Sequence, residues 1–519
     1  MTLKPTRPAV DVARGASSLI IGNLTVSTIS ILAFAVMARL ISREEMGALA
    51  VLTLVASAAQ LLAGLGVGAT ATKFIGGLQL GVAREEMRTA AYECLTINLL
   101  GTVLLMVAVY FSSGLLASQF LGSTTQTNLI QLLVIDVGAL CINYSLSAIL
   151  AGLKMFKEWS VARTATFAIR QGLVVALLLL GFGLPGVLLG WGIGDAASSL
   201  TMGLLIRRHL GGFRVGSGFR RILKFSGPLF AGELATFAWS WFDRALLVPL
   251  VSLADLGTYN VAVTAYGVLA GFSQSISGTL FPFYSGIYQG EGSTTGELEG
   301  AIKTASRYVS FFTIPLAVGL AVTAAPAATL LAGNLYADAA LPLAILALSL
   351  AVGCFIRALG AILIVLERTV TSALVTIASI FLPILVGFLI IPILGILGAS
   401  IARGASLIIS LILSILILRK VIHVRVRFDT GAYAKTWIAS LMMAAAVLAS
   451  ELLYTSKLLL PLYVAVGGVV FLIALRMLRA VNQEDYDLVS EFLGPRFRVV
   501  TNVLGRVLLV RGHAEFHDA

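Results

Sequence analysis

The amino-acid sequence predicts an all-α integral membrane protein with about 14 transmembrane helices. The chain has 519 residues, of which 58% are hydrophobic and only 12% are charged, and its mean hydropathy is +0.98. A soluble protein this apolar could not cover itself with polar surface, so bulk lipid must be its solvent. The composition therefore excludes a soluble enzyme, a transcription factor and a disordered scaffold.

The apolar runs follow one another along the chain, and each has the length that one span requires, about 20 residues. The predicted spans, in chain order, are 17–38, 46–72, 91–113, 128–151, 164–184, 186–206, 226–250, 256–282, 305–332, 340–366, 370–391, 394–418, 434–454 and 458–478. Tight hairpins are predicted at GFGLPG, between spans 5 and 6, and at IPILG, between spans 11 and 12. The outer loops are short, so we expect no extracytoplasmic domain.

Basic residues set the orientation, because Lys and Arg concentrate in cytoplasmic loops. With the N-terminus inside, 29 of the 36 Lys and Arg lie in cytoplasmic segments, and only Arg39, Arg43 and Lys457 lie in outer loops. Both termini are therefore expected in the cytoplasm, with the protein spanning the cell membrane many times. The same basic loops account for the net charge of +11, so we expect no nucleic-acid partner.

Two sequence matches indicate an internal duplication. ISREEMGALAV (41–51) aligns with VSLADLGTYNV (251–261) at an offset of 210 residues, and GVLLGWGIGDA (186–196) aligns with GILGASIARGA (395–405) at 209. Six spans separate the copies, so both halves have the same orientation, and parallel repeats place a substrate site between two lobes near the bilayer midplane. The predicted regions are a cytoplasmic N-terminus (1–16), a first six-helix lobe (17–208), a basic linker (209–225), a second six-helix lobe (226–420), a basic loop with helices 13 and 14 (421–478) and an amphipathic cytoplasmic tail (479–519).

Polar side chains recur at helical spacing on the first two spans of each half. The residues taken as candidate substrate contacts from these stripes are Asn23, Gln60, Asn260 and Gln274. Such stripes either join helices to one another or face a water-filled cavity. Glu233 lies on the stripe of span 7 and favours the cavity, because a charge that faces lipid costs about 3 kcal/mol.

Charged residues inside the predicted spans give a second set of candidates. The four arginines are candidate ligands for an anionic headgroup such as a diphosphate, whose oxygens suit the planar guanidinium: Arg170, Arg244, Arg357 and Arg403. The four acids are candidates for coupling to H⁺ or Na⁺: Glu233, Asp136, Asp195 and Asp243. Because four cations balance four anions, structural ion pairs between helices are the alternative.

The sequence contains no catalytic or metal-binding constellation. GFGLPG matches a nucleotide-binding glycine pattern, but no strand precedes it. His513 and His517 have no further ligand nearby, and nothing resembles a hydrolase triad. We therefore predict a protein that is not an enzyme and needs neither metal nor cofactor.

Several stretches carry a family resemblance. The opening FAVMARLISREEMGALAV, with Arg39 and Gly47, and KFSGPLFAGELATFAWSWFDRALL, with the adjacent Asp243 and Arg244, are similar to polysaccharide-biosynthesis flippases of the Wzx type. LPLAILALSLAVGCFIRALGAILIVLERT resembles a later helix of the same family. These flippases belong to the multidrug/oligosaccharidyl-lipid/polysaccharide exporter superfamily.

The resemblance implies two six-helix lobes plus two extra helices. It also implies that a polyprenyl-diphosphate-linked oligosaccharide, on undecaprenol or dolichol, is flipped from the cytoplasmic to the outer leaflet by alternating access. The expected partners are this lipid-linked glycan, membrane lipid and glycosyltransferases of the same pathway, with the protein itself a monomer.

Other functions stay open at this point. A lipid II-type flippase would differ chiefly in its cargo, and a cation-coupled multidrug exporter would have about 12 spans and fewer arginines in its cavity. A polytopic glycan polymerase or ligase would need a large extracytoplasmic loop that bears catalytic groups. A non-catalytic membrane scaffold is a further alternative.

Overall fold

The computed structural model describes residues 25–78, 84–278, 284, 295–356, 359, 362, 369–421, 426–453 and 456–480, and within these ranges the chain is helical with no β-strand. The helices in chain order are α1 (Thr25–Leu40), α2 (Arg43–Gly64), α3 (Val67–Leu78), α4 (Arg84–Phe111), α5 (Ser113–Phe120), α6 (Thr127–Gly152), α7 (Phe156–Leu179), α8 (Gly183–Leu210), α9 (Phe219–Leu247), α10 (Leu253–Gly278), α11 (Thr295–Val322), α12 (Ala324–Ala332), α13 (Ala340–Val352), α14 (Thr369–Lys420), α15 (Thr430–Leu453) and α16 (Leu460–Met477). By length and composition, nine helical segments in the described part of the chain can cross a membrane. The protein is therefore an all-helical, multi-pass membrane protein.

Several predicted spans differ in extent from the observed helices, as spans 2 and 5 illustrate. Span 2 (46–72) is not continuous, because α2 ends at Gly64 and α3 begins at Val67. Span 5, predicted at 164–184, is helix α7, which begins eight residues earlier at Phe156. The first two turns of α7 contain charged residues, which hydropathy assigns to a loop although they extend the helix beyond the apolar run. The predicted tail 479–519 lies outside the described residues from position 481 onward.

The break between α2 and α3 has a steric cause. Leu65 and Gly66 both take left-handed backbone conformations, with φ of 46° and 73°. A Cβ atom on Gly66 would come within 2.5 Å of the Ser226 carbonyl oxygen and 2.7 Å of the Phe230 nitrogen, so only glycine fits there. The Thr70 and Ser226 hydroxyl groups share a hydrogen bond of 2.9 Å one turn further on. The break thus lets α9 approach the backbone of α3.

Both predicted hairpins are confirmed. Gly181 and Gly183, at the GFGLPG site, take φ of 85° and 55° and join α7 to α8. Helix α14 is interrupted by a reversal at Gly395, where φ is 54° and ψ is −128°. A Cβ on Gly398 would lie 2.7 Å from the Ile390 carbonyl oxygen, which is incompatible with a straight helix. The chain therefore turns back at IPILG, as the sequence predicts.

The two copies of the duplicated motif pack against each other. The Ser42 hydroxyl accepts from the Glu45 backbone N–H at the start of α2, and the Ser252 hydroxyl accepts from Asp255 in the same way at α10. At α2 the Glu45 carboxylate accepts in return from the Ser42 backbone N–H, which completes a capping box. At α10 the Asp255 carboxylate accepts instead from the Ser252 hydroxyl. In both copies the serine cap fixes where the helix begins.

The glycine that follows each cap makes the contact between the copies. A Cβ on Gly47 would collide with the Leu253 carbonyl, and one on Gly257 would collide with the Arg43 carbonyl. Arg43 also donates from Nη2 to the Thr258 hydroxyl at 2.8 Å. We call this backbone contact of Gly47 and Gly257 the glycine crossing.

The chain forms two compact units, residues 1–260 and 261–519. In the first unit α6 packs against α4 and α8, and α7 packs against α8. In the second unit α11 packs against α13 and α15, and α15 packs against α16. The first unit contains a fully buried apolar cluster, the core cluster, made of Val67, Ala71, Ile75, Ala91, Cys94, Ile97, Leu146, Ile149, Leu150, Leu153, Met202, Ile206, Leu210 and Ile222.

The basic linker predicted at 209–225 is held by α4. Arg88 and Tyr92 donate to backbone carbonyl oxygens of segment 211–212, each at 2.6 Å. The buried carboxylate of Glu93 accepts from the Gly218 backbone N–H at 2.7 Å, immediately before α9 begins. These bonds position the first turn of α9 on the first unit.

Candidate functional site

A cavity of about 600 Å³ lies inside the first unit. Five helices of that unit, α2, α3, α6, α7 and α8, contribute to its wall. The lining residues are Gln60, Gly68, Ala69, Thr72, Leu140, Asn143, Tyr144, Ser147, Ala148, Ala151, Trp159, Arg163, Thr166, Phe167, Arg170, Asp195 and Ser198. The wall thus mixes amides, hydroxyls and aromatic rings with a few charges, as ligand sites commonly do.

One wall of the cavity is a single face of α7. Trp159, Arg163, Phe167 and Arg170 follow one another at spacings of four, four and three residues, which places them on one side of a helix. Aromatic and basic side chains therefore alternate along this wall. We call these four residues the α7 stripe.

At one end of the stripe lies an acid–arginine cluster of Asp136, Arg170 and Asp195. Arg170 Nε lies 3.5 Å from Asp195 Oδ2, and both side chains are largely buried. Asp136 is buried beside them and interacts electrostatically with both. The guanidinium of Arg170 also lies over the Trp191 ring, 4.8 Å from its centroid. The charge of Arg170 is therefore compensated within the protein.

Glycines of α8 make room for this cluster. A Cβ on Gly194 would overlap the Cα and Cβ atoms of Arg170, so α7 and α8 pack closely at this point. A Cβ on Gly192 would contact Ile135 at 3.0 Å and the Asp136 backbone nitrogen at 3.5 Å. Close approach on both sides of α8 brings the three charged residues together from three helices.

Glu233 is connected to the cavity through a tyrosine. The Tyr144 hydroxyl donates to Glu233 Oε1 at 2.7 Å, and Tyr144 itself lines the cavity. A Cβ on Gly68 would collide with the Tyr144 ring, so the absence of a side chain at this position leaves room for the ring. Glu233 is therefore linked to the cavity wall by one hydrogen bond, from Tyr144.

Asp243 and Arg244 do not line the cavity. Asp243 is fully buried and accepts from the Tyr259 hydroxyl at 2.7 Å, which ties α9 to α10. The Arg244 guanidinium lies over the Trp241 ring at 4.0 Å and donates to the Ser240 carbonyl. Both residues therefore make contacts within the protein away from the cavity, and these contacts are not the interhelical ion pairs that the charge balance suggested as an alternative.

The other sequence-predicted residues are dispersed. Asn260 is buried on α10, where its Nδ2 lies 3.8 Å from Met46 Sδ. Gln274 is exposed on α10 and Arg403 is half-buried on α14, both in the second unit. Asn23 and Arg357 lie outside the described residues. Of the predicted site residues, the structure therefore brings Gln60, Arg170 and Asp195 to the cavity, with Asp136 and Glu233 adjacent.

Sequence reasoning missed three prominent lining residues, Asn143, Trp159 and Arg163. Trp159 and Arg163 were assigned to a cytoplasmic loop, because the predicted span began at residue 164. If the helix had been predicted to start at Phe156, the spacing of these residues alone would have revealed the stripe. Asn143 has no such signal, since a single amide in an apolar helix carries no periodicity.

The lining defines the chemistry that the cavity can accept. Its charged side chains are Arg163, Arg170 and Asp195, and the last two form an ion pair. Hydroxyl and amide groups supply both donors and acceptors of hydrogen bonds. No group of three or more His, Cys, Asp or Glu side chains suited to a metal ion occurs in the part of the chain that the structure describes. The cavity thus suits a neutral, hydroxyl-rich group better than an organic cation.

The chain is similar to known proteins in both sequence and fold. The model of a family described as "Polysaccharide biosynthesis protein" matches residues 36–341. A sequence relative is the "Probable low-salt glycan biosynthesis flippase Agl15" of Haloferax volcanii, 20% identical over 280 residues. That alignment covers 54% of this chain and 56% of the relative, so the chain spans little more than half of its length.

Solved structures share the fold at low sequence identity. A structure of "Lipid II flippase MurJ, inward closed conformation" matches with a TM-score of 0.75 and 16% identity, over 91% of this chain and 99% of that chain. An inward-facing multidrug resistance transporter of the MATE family and the MOP superfamily matches with a TM-score of 0.58 and 15% identity. That match covers 75% of this chain and 93% of the transporter.

Proposed function

Because the chain belongs to the polysaccharide biosynthesis protein family, we propose that it flips a polyprenyl-diphosphate-linked oligosaccharide from the cytoplasmic to the outer leaflet of the cell membrane. The observation that carries this proposal is the cavity of the first unit, which places amides, hydroxyls and charged side chains within an otherwise apolar helical protein. Under this proposal the protein is a transporter and catalyses no chemical reaction.

The physical task of such a protein is to shelter polar groups from hydrocarbon. Each hydroxyl that enters the bilayer core without a hydrogen-bond partner costs several kcal/mol. Side chains such as Gln60, Asn143 and Ser198 supply partners at the cavity wall. The lipid tail needs no shelter, so it stays in the bilayer while the glycan is enclosed.

We propose alternating access as the mechanism: the cavity opens first to the cytoplasm and then to the outer side. Two of the buried carboxylates, Asp136 and Asp195, face Arg170, so uptake of H⁺ or Na⁺ there would compete with the ion pair. Glu233 is a second coupling candidate, since its bond to Tyr144 links it to the cavity wall. Asp243 is a third candidate, on the evidence of its position in span 7 alone.

The finer architecture belongs to the same proposal. It comprises about 14 spans with both termini in the cytoplasm, a monomer that needs no cofactor, and glycosyltransferases of the pathway as the source of substrate. Arg357 and Arg403 are proposed to contact the diphosphate. Their alanine variants are then expected to be expressed normally and to lose transport.

The proposal is tested with the full chain in proteoliposomes that contain labelled lipid-linked oligosaccharide from the native cells. A membrane-impermeant glycosidase reports which fraction of the glycan is in the outward-facing leaflet. Transport that depends on the protein supports the proposal, and equal accessibility in protein-free vesicles refutes it.

Two further substrates in the same vesicles separate the alternatives. Lipid II would be flipped in place of the oligosaccharide lipid by a lipid II-type flippase. A cationic dye would be moved by a multidrug exporter. The cavity lining disfavours this alternative for electrostatic reasons, because it has two arginines and only one carboxylate. Movement of either substrate without movement of the lipid-linked oligosaccharide would overturn the proposal.

A further inference from the structure

Resting on the proposed function, we infer that the cavity of the first unit binds a sugar unit of the glycan, with Trp159 as the stacking platform, and does not bind the diphosphate. The inference assigns a specificity role to a residue of α7 that lies at the cavity wall. It follows from the charge, the hydrogen-bonding groups and the aromatic surface of the cavity.

The charge around Arg170 argues against a diphosphate. Arg170 Nε is 3.5 Å from Asp195 Oδ2, and Asp136 lies beside the pair. Two carboxylates thus face one guanidinium. A diphosphate placed there would meet like charges and would have to displace Asp195 from Arg170, which is unfavourable in a largely buried site.

The neutral groups of the wall match sugar hydroxyls. A hydroxyl both donates and accepts hydrogen bonds, and a side-chain amide can serve both needs at once. Gln60 and Asn143 present amides from α2 and α6, and Ser198 presents a hydroxyl from α8. Asn143 already accepts from Ser147 at 3.3 Å, so its NH₂ group is the part left for a ligand. Partners from three helices therefore surround the space.

Trp159 supplies the flat apolar surface that such a site uses. One part of its ring packs on the core cluster and another part lines the cavity. In the described part of the chain its Nε1–H is buried and has no acceptor. Arg170 stacks on two other rings, those of Trp191 and Phe167, and not on Trp159. An indole offers an apolar face to the C–H groups of a pyranose.

The volume sets how much of the substrate enters. A cavity of about 600 Å³ falls within the range of about 300–1,000 Å³ that is usual for small-molecule sites. Such a space holds part of an oligosaccharide, and the diphosphate and lipid then lie outside it. Arg163 follows Trp159 on the α7 stripe, between that ring and Phe167.

The test uses the full chain in nanodiscs and two separate probes. The first probe is the free oligosaccharide, released from the lipid-linked pool of the native cells by mild acid and freed of phosphate. The second probe is inorganic pyrophosphate. We expect the free oligosaccharide to bind, measured by isothermal titration calorimetry, and pyrophosphate not to compete with it.

Variants assign the binding to the tryptophan. Trp159→Leu keeps apolar volume but removes the flat ring, and we expect binding of the free oligosaccharide to weaken about tenfold. Trp159→Phe keeps a ring and should restore most of the affinity. The matched control is Trp437→Leu on α15 of the second unit, which should bind as the wild type does. Size-exclusion profiles and melting temperatures establish that each variant is folded.

Each outcome addresses one proposal. Competition by pyrophosphate, or full affinity in folded Trp159→Leu, would overturn this inference while leaving flipping in proteoliposomes untouched. Tight binding of the free oligosaccharide by a protein that moves no lipid-linked glycan would instead overturn the proposed function.

Discussion

The glycine crossing and the cavity lie in the same unit, yet they are built in opposite ways. At the crossing, two backbones meet directly, because Gly47 and Gly257 have no side chains to hold them apart. At the cavity, side chains from five helices keep the backbones apart and leave a space between them. The crossing comes from one short motif used twice, whereas the cavity has no motif of its own.

The two regions show which features of a membrane protein a sequence can reveal. A serine cap with an acid three residues later and then a glycine is a local pattern, so its duplication is visible as a repeat at an offset of 210 residues. A cavity depends on residues between Gln60 and Ser198 that meet only after the helices pack. Substitutions in the two regions should therefore differ in the property that they affect and in the size of the effect.

The largest effect is expected at the crossing. Gly257→Val would drive a branched side chain into the Arg43 carbonyl, and the two helices could not pack at this distance. We expect little or no folded protein, measured as monodisperse yield by fluorescence-detected size exclusion. The matched control is Gly267→Val on the same helix, where a Cβ would have nothing within 4 Å. Equal yields of the two variants would show that the crossing is not needed for folding.

The next largest effect, on thermal stability, is expected at the cluster of Asp136, Arg170 and Asp195. Arg170→Met removes the cation that faces Asp195 and Asp136, and loss of one partner of a buried pair costs about 3 kcal/mol. Thermal unfolding in detergent should show this loss of stability. The double variant Arg170→Met with Asp195→Leu should recover much of it, because it leaves one unpaired carboxylate fewer. A double variant less stable than Arg170→Met would refute this account of the pair.

A smaller effect, on transport, is expected from the cavity wall. Arg163→Ala should slow flipping of the lipid-linked oligosaccharide about tenfold, equivalent to about 1.4 kcal/mol, without a change in yield. The control is Lys157→Ala, an exposed residue of the same helix that does not line the cavity. If both variants transport at the wild-type rate, the α7 stripe takes no part in transport.

The smallest effect is expected from the helix caps of the crossing. Ser42→Ala and Ser252→Ala each remove a side-chain acceptor for a backbone N–H, at a cost of about 1 kcal/mol. Melting temperatures of the two variants should fall by similar amounts, because each hydroxyl accepts one backbone N–H at 3.1 Å. A large drop in only one of them would indicate that the copies of the motif no longer have equal structural roles.

The sequence predicted the fold class and much of the helix order, but not the site. It placed the turns at GFGLPG and IPILG correctly, where glycines take left-handed conformations. It missed the break at Gly66, because that break is imposed by the backbone of α9 and leaves the apolar run uninterrupted. It also grouped Arg170 and Arg244 as equivalent candidates, although one lines the cavity and the other lies over Trp241.

By itself, the sequence determined that lipid is the solvent, that the chain is helical and that one motif occurs twice. These properties follow from composition, periodicity and short-range spacing, which are all readable along one helix at a time. Only the tertiary structure decided that Asp136, Arg170 and Asp195 form one cluster and that Trp159 and Arg163 share a wall with Gln60. Periodicity shows which side chains share a face of a helix, but helix packing determines which faces meet, and no local pattern encodes that choice.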